Sequence, residues 1–279
     1  FHTCAKLDDG SVSCWGGNDN GQLGDGTTTD RTTPTQTSSL GTDRTAFSIS
    51  TGKYHTCAIL DDGSVSCWGD NSNGQLGDGT TTDRTTPTQT YQLRTHTLSI
   101  SERDYDGDGI LNIFDQSYLT CATGSYSNIL KLGVCTDASA GYYVPDSRNH
   151  NSNKISTGNT HTCTILDDGS VSCWGDNSEG QLGDGTTTDR LTPTQTSSLG
   201  TDRTAVEISA GNHHTCAILD DGSVVCWGYN SDGQLGDGTT TDRLTPTQTS
   251  SLGTDRAAVA ISAGQYHTCA ILDDASVTC

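Results

Sequence analysis

Residues 104–115 carry the side chains whose types and spacing are best suited to bind a metal ion. The segment reads DYDGDGILNIFD, with oxygen-bearing side chains at its first, third, fifth, ninth and twelfth positions. Oxygen ligands at alternate positions converge on one cation when the backbone wraps around it, and calcium takes about six to eight of them. The segment therefore predicts a calcium site. Its predicted ligands are the side chains of Asp104, Asp106, Asp108, Asn112 and Asp115 and the carbonyl of Ile110.

The glycine inside this segment supports the same interpretation. Gly109 stands at the sixth position, where a calcium loop must turn sharply. The pattern resembles an EF-hand-like loop, and more closely the loops of thrombospondin type 3 and dockerin repeats, in which Asp stands at the last position. Asp115 has a shorter reach than Glu would have there. A solvated acidic turn is the alternative, and the ligand spacing favours calcium as a cofactor.

The twelve cysteines are a second set of reactive side chains. Ten of them form five pairs at one spacing, and the other two lie between the second and third of these pairs. No CxxC motif or histidine at zinc-ligand spacing accompanies them, so we expect disulfides and no metal centre. Paired cysteines predict an oxidising location, secreted or at the cell surface. The predicted bonds are Cys4–Cys14, Cys57–Cys67, Cys121–Cys135, Cys163–Cys173, Cys216–Cys226 and Cys269–Cys279.

Repeated histidines and tryptophans are the remaining candidates for chemistry. They recur at fixed places beside the cysteines, as His55 and Trp68 do. A metal ring or a ligand cage would use them, but one copy in each repeat is more typical of packing and hydrogen bonding. The DNSNG segment at 70–74 is interpreted as a tight turn. No catalytic constellation is special to one place, so we expect no enzyme activity.

The elements that position these side chains are copies of one hairpin. The phrase HTCAILDDGSVSCWG at 55–69 recurs four more times with small changes, and neighbouring copies are 53 residues apart, or 106 across the middle of the chain. If Asp61, Asp62 and Gly63 form a three-residue loop, Cys57 lies opposite Cys67. Directly opposed residues approach closely enough for a cross-strand disulfide.

The hairpin and the loop after it resemble the repeat of the regulator of chromosome condensation family. The shared pattern appears here as His55, Asp62-Gly63, Trp68-Gly69, Asn71 and the GQLGDG segment at 74–79. The resemblance implies a β-propeller of four-stranded blades, usually about seven in that family. This chain has five hairpins and begins and ends within the blade pattern. We therefore expect either further repeats outside this segment or an open array that a neighbouring chain completes.

The repeat also sets the expected fold class. A period of about fifty residues rich in glycine and threonine is typical of propeller blades or another β array. We expect an all-β fold, a β-propeller or open array of four-stranded blades with cross-strand disulfide hairpins. A small insert would be held by calcium and one disulfide. The predicted boundaries are 1–101 for the first repeats, 102–153 for the insert and 154–279 for the later repeats.

Charge and repetition limit the function. The formal net charge is −20 at pH 7, which excludes nucleic acid as a partner and with it the chromatin function known in the resembled family. No apolar run is long enough for a membrane span. Near-identical copies favour an extracellular structural or adhesive protein, such as a filament subunit, that binds itself or an extracellular protein or glycan. The alternative is a secreted propeller that inhibits or captures a protein through loops that differ between blades.

Removal of calcium tests the predicted metal site. Chelation should raise amide hydrogen exchange within 102–153, because the loop at 104–115 loses the cation that holds its backbone. Exchange in the hairpin at 55–69 should stay unchanged. Identical exchange in 102–153 with and without calcium would rule the site out.

Overall fold

A computed structural model describes residues 1–91, 125–127, 135–137, 154–254 and 256–279. All regular elements within these ranges are β-strands, and no helix there is long and apolar enough to cross a membrane. The strands of the first two blades are β1 (His2–Lys6), β2 (Val12–Gly16), β3 (Arg31–Gln36), β4 (Ala46–Thr51), β5 (His55–Leu60), β6 (Val65–Gly69) and β7 (Arg84–Gln89).

The later blades follow a short two-stranded ribbon of β8 (Ser125–Ser127) and β9 (Cys135–Asp137). Their strands are β10 (Ile155–Thr157), β11 (His161–Ile165), β12 (Val171–Gly175), β13 (Arg190–Gln195), β14 (Ala205–Ala210), β15 (His214–Leu219), β16 (Val224–Gly228), β17 (Arg243–Gln248), β18 (Ala258–Ala263), β19 (Thr268–Leu272) and β20 (Val277–Thr278).

The blade sheets are antiparallel meanders in which neighbouring strands are consecutive in the chain. The second, third and fourth blades each have four strands. The first blade has counterparts of their second to fourth strands, and the fifth blade has counterparts of their first three. The first strands contact one another from blade to blade, β4 with β10, β10 with β14 and β14 with β18. The result is an open array of blades, as the sequence predicts.

The predicted register of the hairpins is confirmed. In the second blade Cys57 lies opposite Cys67 and Ile59 opposite Val65, and Gly63 has the positive φ of 79° that the three-residue loop requires. The five disulfides of the hairpins all form, each with a Cα–Cα distance of 4.1 Å. These short distances are those of directly opposed strand residues.

The hydrophobic core lies between blades and not within them. One cluster joins Val12 and Leu23 of the first blade to Ala46, Leu60 and Trp68 of the second. Because neighbouring blades cover both sides of the middle strands, every residue of β5 and β6 is buried, without the alternation of a half-exposed strand. Each blade is thus stable only against its neighbours.

The chain divides into two compact units, one of Phe1–Leu93 with Asn149–Cys279 and one of Arg94–Arg148. Within the first unit the second and third blades are direct neighbours, because Ser50 Oγ lies 2.9 Å from Thr157 Oγ1. The predicted insert therefore interrupts the sequence between two adjacent blades. The boundaries of the insert stay a prediction.

Two paired variants separate the loop-closing effect of a disulfide from its packing. Cys57→Ala with Cys67→Ala and Cys4→Ala with Cys14→Ala open loops of the same size, so each should cost about 3 kcal/mol in the free energy of unfolding. The Cys57–Cys67 sulfurs are fully buried, whereas Cys4 is half-buried. The first pair should therefore lose about 1 kcal/mol more, through the cavity that it leaves. Urea midpoints followed by tryptophan fluorescence measure both, and equal midpoints would contradict the packing effect.

Candidate interaction face

Each seam between neighbouring blades is closed by one set of buried polar contacts. Between the second and third blades, Thr162 Oγ1 donates to the carbonyl of Gln75 at 3.0 Å, and Trp174 Nε1 donates to the same carbonyl at 2.9 Å. His55 Nε2 lies 2.9 Å from Thr162 Oγ1. Since the Thr162 proton is already given to Gln75, the histidine must be the donor. Its proton is therefore on Nε2.

The histidine–threonine and threonine–glutamine contacts recur at the other seams, which explains why the sequence repeats these residues. The His Nε2 to Thr Oγ1 distance is 2.7 Å for His2–Thr56 and 2.9 Å for His161–Thr215 and His214–Thr268. Trp68 differs from Trp174, because its indole nitrogen has no partner among the described residues. The interpretation of the repeated histidines as packing and hydrogen-bonding residues is confirmed for His2, His55, His161 and His214, whereas His267 of the fifth blade is exposed and has no such partner among the described residues.

Burial keeps the seam histidines neutral. Loss of solvent lowers the pKa of His55 and His161 to about 3 and that of His2 and His214 to about 4. Neighbouring charges have smaller effects, and the Asp176 carboxylate partly opposes the shift of His161. The Nδ1 atom of each has no hydrogen-bond partner in the described part of the chain. Protonation would therefore place an unpaired charge inside a seam. Across the ranges that the structure describes, no group of three or more His, Cys, Asp or Glu residues could hold a metal ion.

A buried asparagine builds the long loop that reaches from each blade to the next. Asn71 Nδ2 donates to the carbonyls of Thr80 and Thr82 at 3.0 and 3.1 Å and to Asp78 Oδ1 at 3.1 Å, and its Oδ1 accepts from the Leu76 amide at 3.0 Å. The turn expected at 70–74 forms, but the contacts of Asn71 extend further along the loop, as far as Asp83, twelve positions from Asn71. Asn18, Asn177 and Asn230 make the same contacts.

The glycines of the GQLG segment allow this loop to press on the next blade. A Cβ at Gly77 would lie 2.7 Å from Trp174 Nε1, and a Cβ at Gly74 would lie 2.5 Å from a methyl group of Leu191. Both glycines also have positive φ angles, of 68° and 79°. Side chains other than hydrogen are therefore excluded by contact with the neighbouring blade and by backbone conformation.

The loops of the blades emerge on two opposite faces. Because strand direction alternates, the loop between a blade's first and second strands lies on the same face as the loop between its third and fourth strands. The Asp-Asp-Gly turns and the connections to the next blade lie on the other face. The face with the first-to-second and third-to-fourth strand loops is called here the variable face, and the face with the Asp-Asp-Gly turns is called the turn face.

Apart from the insert in the connection between the second and third blades, the repeats differ from one another mainly on the variable face. The turn sequence LDDGS is identical in four blades, and only Ala275 departs from it in the fifth. The residues just before the repeated histidine and just after Trp-Gly change from blade to blade. In chain order these residues are Phe1, Gly17, Tyr54, Asp70, Thr160, Asp176, His213, Tyr229 and Tyr266.

Backbone hydrogen bonds hold the two changing positions of each blade together. In the second, third and fourth blades the amide of the later residue donates to the carbonyl of the earlier one at 2.9 Å. The side chains therefore stand beside one another on the variable face. The bonded pairs are Asp70–Tyr54, Asp176–Thr160 and Tyr229–His213.

One polar group on the variable face has no counterpart in the other repeats. Thr160 Oγ1 donates to Asp176 Oδ2 at 3.1 Å, and His213 Nδ1 of the next blade lies 3.7 Å from the same oxygen. Burial opposes ionisation of Asp176, but its contacts with His213, Ser178 and Thr160 outweigh that effect and lower its pKa. Nearby in the sequence, Asn159 Oδ1 is buried and has no partner among the described residues. Asp176 is therefore a fixed negative charge at the seam of the third and fourth blades.

Tyrosines supply the apolar part of the variable face. Lys53 Nζ lies 4.9 Å from the ring centre of Tyr54, which is a favourable cation–π distance. Tyr266 stands at the same repeat position as Tyr54 and is 51% exposed. Tyr54 follows Lys53 in the sequence, whereas Tyr266 follows Gln265. The Gln265 Nε2 atom lies 3.0 Å from the Tyr266 hydroxyl.

The predicted calcium ligands at 104–115 lie outside the described residues. The same holds for Cys121, so calcium binding and the Cys121–Cys135 bond stay predictions. The sequence alone does not reveal the variable face, because the high overall similarity of the loops hides the few positions that differ. A comparison of the repeats position by position would have located the differences, although not the face that they share.

Three comparisons relate this chain to known proteins. A family model described as RCC1-like domain matches residues 1–279. The ultraviolet-B receptor UVR8 of Arabidopsis thaliana is 31% identical over 98% of this chain and 61% of its own length. The probable E3 ubiquitin-protein ligase HERC6 of Homo sapiens is 31% identical over 82% of this chain and 22% of its length. A crystal structure of Kap60 bound to yeast RCC1 (Prp20) matches with a TM-score of 0.51 and 17% identity, over 99% of this chain and 67% of that one.

The buried histidines predict a loss of stability in mild acid. Unfolded histidine has a pKa of about 6.5, so between about pH 6.5 and 4 the unfolded chain binds more protons than the folded one, and stability falls as pH falls. Each fully buried histidine should contribute about 2 kcal/mol of this loss between pH 7 and pH 5. Urea midpoints at the two pH values measure it. His161→Gln should be less stable at pH 7 but less sensitive to pH, and an unchanged pH dependence would contradict the assignment.

Proposed function

Because the chain belongs to the RCC1-like domain family, we propose that it is a protein-binding module whose variable face recognises the partner. The observation that carries this proposal is where the repeats differ. The seam residues and the turns are copied from blade to blade, as a repeated scaffold requires. Partly or fully exposed residues that differ between blades are not required by the repeated scaffold, and a partner without repeat symmetry would need them.

The relatives guide this proposal only at a coarse level. The chain spans 61% of the length of UVR8 and 22% of that of HERC6. Neither the receptor activity of the first nor the ligase activity of the second is therefore proposed here. Likeness to the yeast RCC1 structure at 17% identity supports the fold alone.

The extracellular structural or adhesive role expected from the sequence is the second candidate. It is supported by the identical turns and by five disulfides, which also carry the proposal that the protein is secreted or on the cell surface. The sequence alone favours this role, because the loops of all blades are nearly alike. Since the differences gather on one face, the binding module has the stronger support.

Affinity capture with two matched variants tests the proposed function. Tyr229→Ala with Tyr266→Ala alters the variable face, and Asp8→Asn with Asp167→Asn alters the turn face. Extracts of the source organism are passed over the wild type and both variants, and bound proteins are quantified by mass spectrometry. We expect a partner that the wild type and the turn-face variant retain and the variable-face variant loses at least about tenfold.

Three outcomes would contradict this expectation. A partner lost only with the turn-face variant would assign binding to the other face. Equal retention by all three proteins would remove the variable face from the interaction. Capture of this same chain alone, together with very large particles in light scattering, would favour the structural role. Unchanged thermal unfolding of both variants is the control for folding.

A further inference from the structure

Nearly all lysine and arginine side chains in the described ranges form ion pairs with carboxylates of this same chain. On the variable face, four arginines each pair with an aspartate of their own loop at 2.6–2.7 Å, and those aspartates are 3–5% exposed. On the turn face Arg44, Arg203 and Arg256 pair with aspartates of the hairpin turns. Lys154 pairs with Glu207. Within the described ranges, Lys6 and Lys53 are the cations that pair with no carboxylate.

Carboxylates of the variable face are left without a cation by this arrangement. Asp19, Glu179 and Asp232 lie in the long loops of the first, third and fourth blades, and their side chains make no ion pair or hydrogen bond with the described residues. Asp70 is bound by Gln75 Nε2 at 2.7 Å, which is neutral. Asp176 accepts hydrogen bonds from Thr160 and Ser178, which are neutral, and its ion-pair contact among the described residues is with the His213 ring. Apart from Lys53, which lies over the Tyr54 ring, no described lysine or arginine on this face is left to pair with these carboxylates, and a partner can supply the positive charge.

The tyrosines independently indicate the same ligand chemistry. Tyr54 already carries the ammonium group of Lys53 over its ring. Tyr266 occupies the corresponding place in the fifth blade with half of its surface exposed, and no cation among the described residues lies over it. An exposed aromatic ring on an acidic face favours a cation with an apolar stem, which lysine and arginine have and simple metal ions lack.

We propose that the partner presents a polypeptide segment rich in lysine and arginine, which binds across the variable face from the third to the fifth blade. Its cations lie against the unpaired carboxylates Asp176, Glu179 and Asp232, and one side-chain stem lies on the Tyr266 ring. This inference rests on the proposed function and adds the chemistry of the partner. Such contacts give fast, salt-sensitive association with a directed orientation.

Two charge-matched triple variants test this inference. Asp19→Asn, Glu179→Gln and Asp232→Asn remove three negative charges from the variable face. Asp8→Asn, Asp167→Asn and Asp273→Asn remove three from the turn face. None of the six side chains makes a described ion pair or hydrogen bond, so both variants should fold as the wild type does. Because the change in net charge is the same, any difference in binding reports position.

The probe is a short fluorescein-labelled peptide of alternating arginine and serine, measured by fluorescence anisotropy at about 0.05 and 0.15 M salt. We expect the variable-face triple variant to bind about tenfold more weakly than the wild type and the turn-face variant to change less than about twofold. Tyr266→Ala should also weaken binding, and Tyr266→Phe should not. Affinity should fall with salt.

If both triple variants weakened peptide binding equally, the affinity would depend on net charge alone, and the inference would be overturned. No binding at the lower salt concentration would overturn it as well, as would a neutral oligosaccharide that binds with dependence on Tyr266 and none on the carboxylates. Affinity capture of the natural partner with these variants distinguishes failure of this inference from failure of the proposed function. If the tyrosine variants lose the partner but the variable-face triple variant retains it, the protein-binding function is supported and the inference of a basic partner is overturned.

Discussion

The hydrogen-bonded seam between blades is the constraint on which the rest of this structure depends. A blade has no core of its own, so its middle strands can be buried only against another blade. Burial there is tolerated because the Gln75 carbonyl, the Thr162 hydroxyl, the Trp174 indole and the His55 ring pair with one another. A buried polar group left unpaired would cost about 1–3 kcal/mol, a large part of the stability of a domain.

The seam also explains the near-identity of the repeats. A change in any member of the set, for instance Thr162, would deprive its partners His55 and Gln75 in the neighbouring blade of a hydrogen bond across the seam. The disulfide belongs to the same set, since Cys57 Sγ lies 3.9 Å from Thr162 Oγ1. This disulfide both closes the hairpin and fills space in the seam. It thereby compensates for the small number of large apolar side chains. Repetition in this chain follows from contacts that are required once in every seam, and a function for each copy is not needed to account for it.

The sequence predicted what depends on local geometry and covalent bonds. The register of the hairpin at 55–69 follows from the loop length and the placement of Cys57 and Cys67, and its copies share it. The role of Asn71 could not be predicted, because its partners reach eleven residues along a loop without regular structure. The contact of Asp176 with His213 was equally hidden, since it joins loops of different blades, 37 positions apart in the sequence.

A scaffold of this kind separates stability from recognition. The residues that close the seams belong to the strands and to the buried GQLG segment, and the backbone bonds of Asp70 to Tyr54 and of Tyr229 to His213 use no side-chain atom. Side chains at these positions can therefore change without loss of a seam contact, while the loop geometry stays fixed. The internal pairing of arginines such as Arg84 with Asp78 has a second consequence, because it stiffens the loop and also removes positive charge from its surface. The face that is free to vary is for this reason also an acidic one, and its electrostatic field is set by the contacts that hold the loops in place.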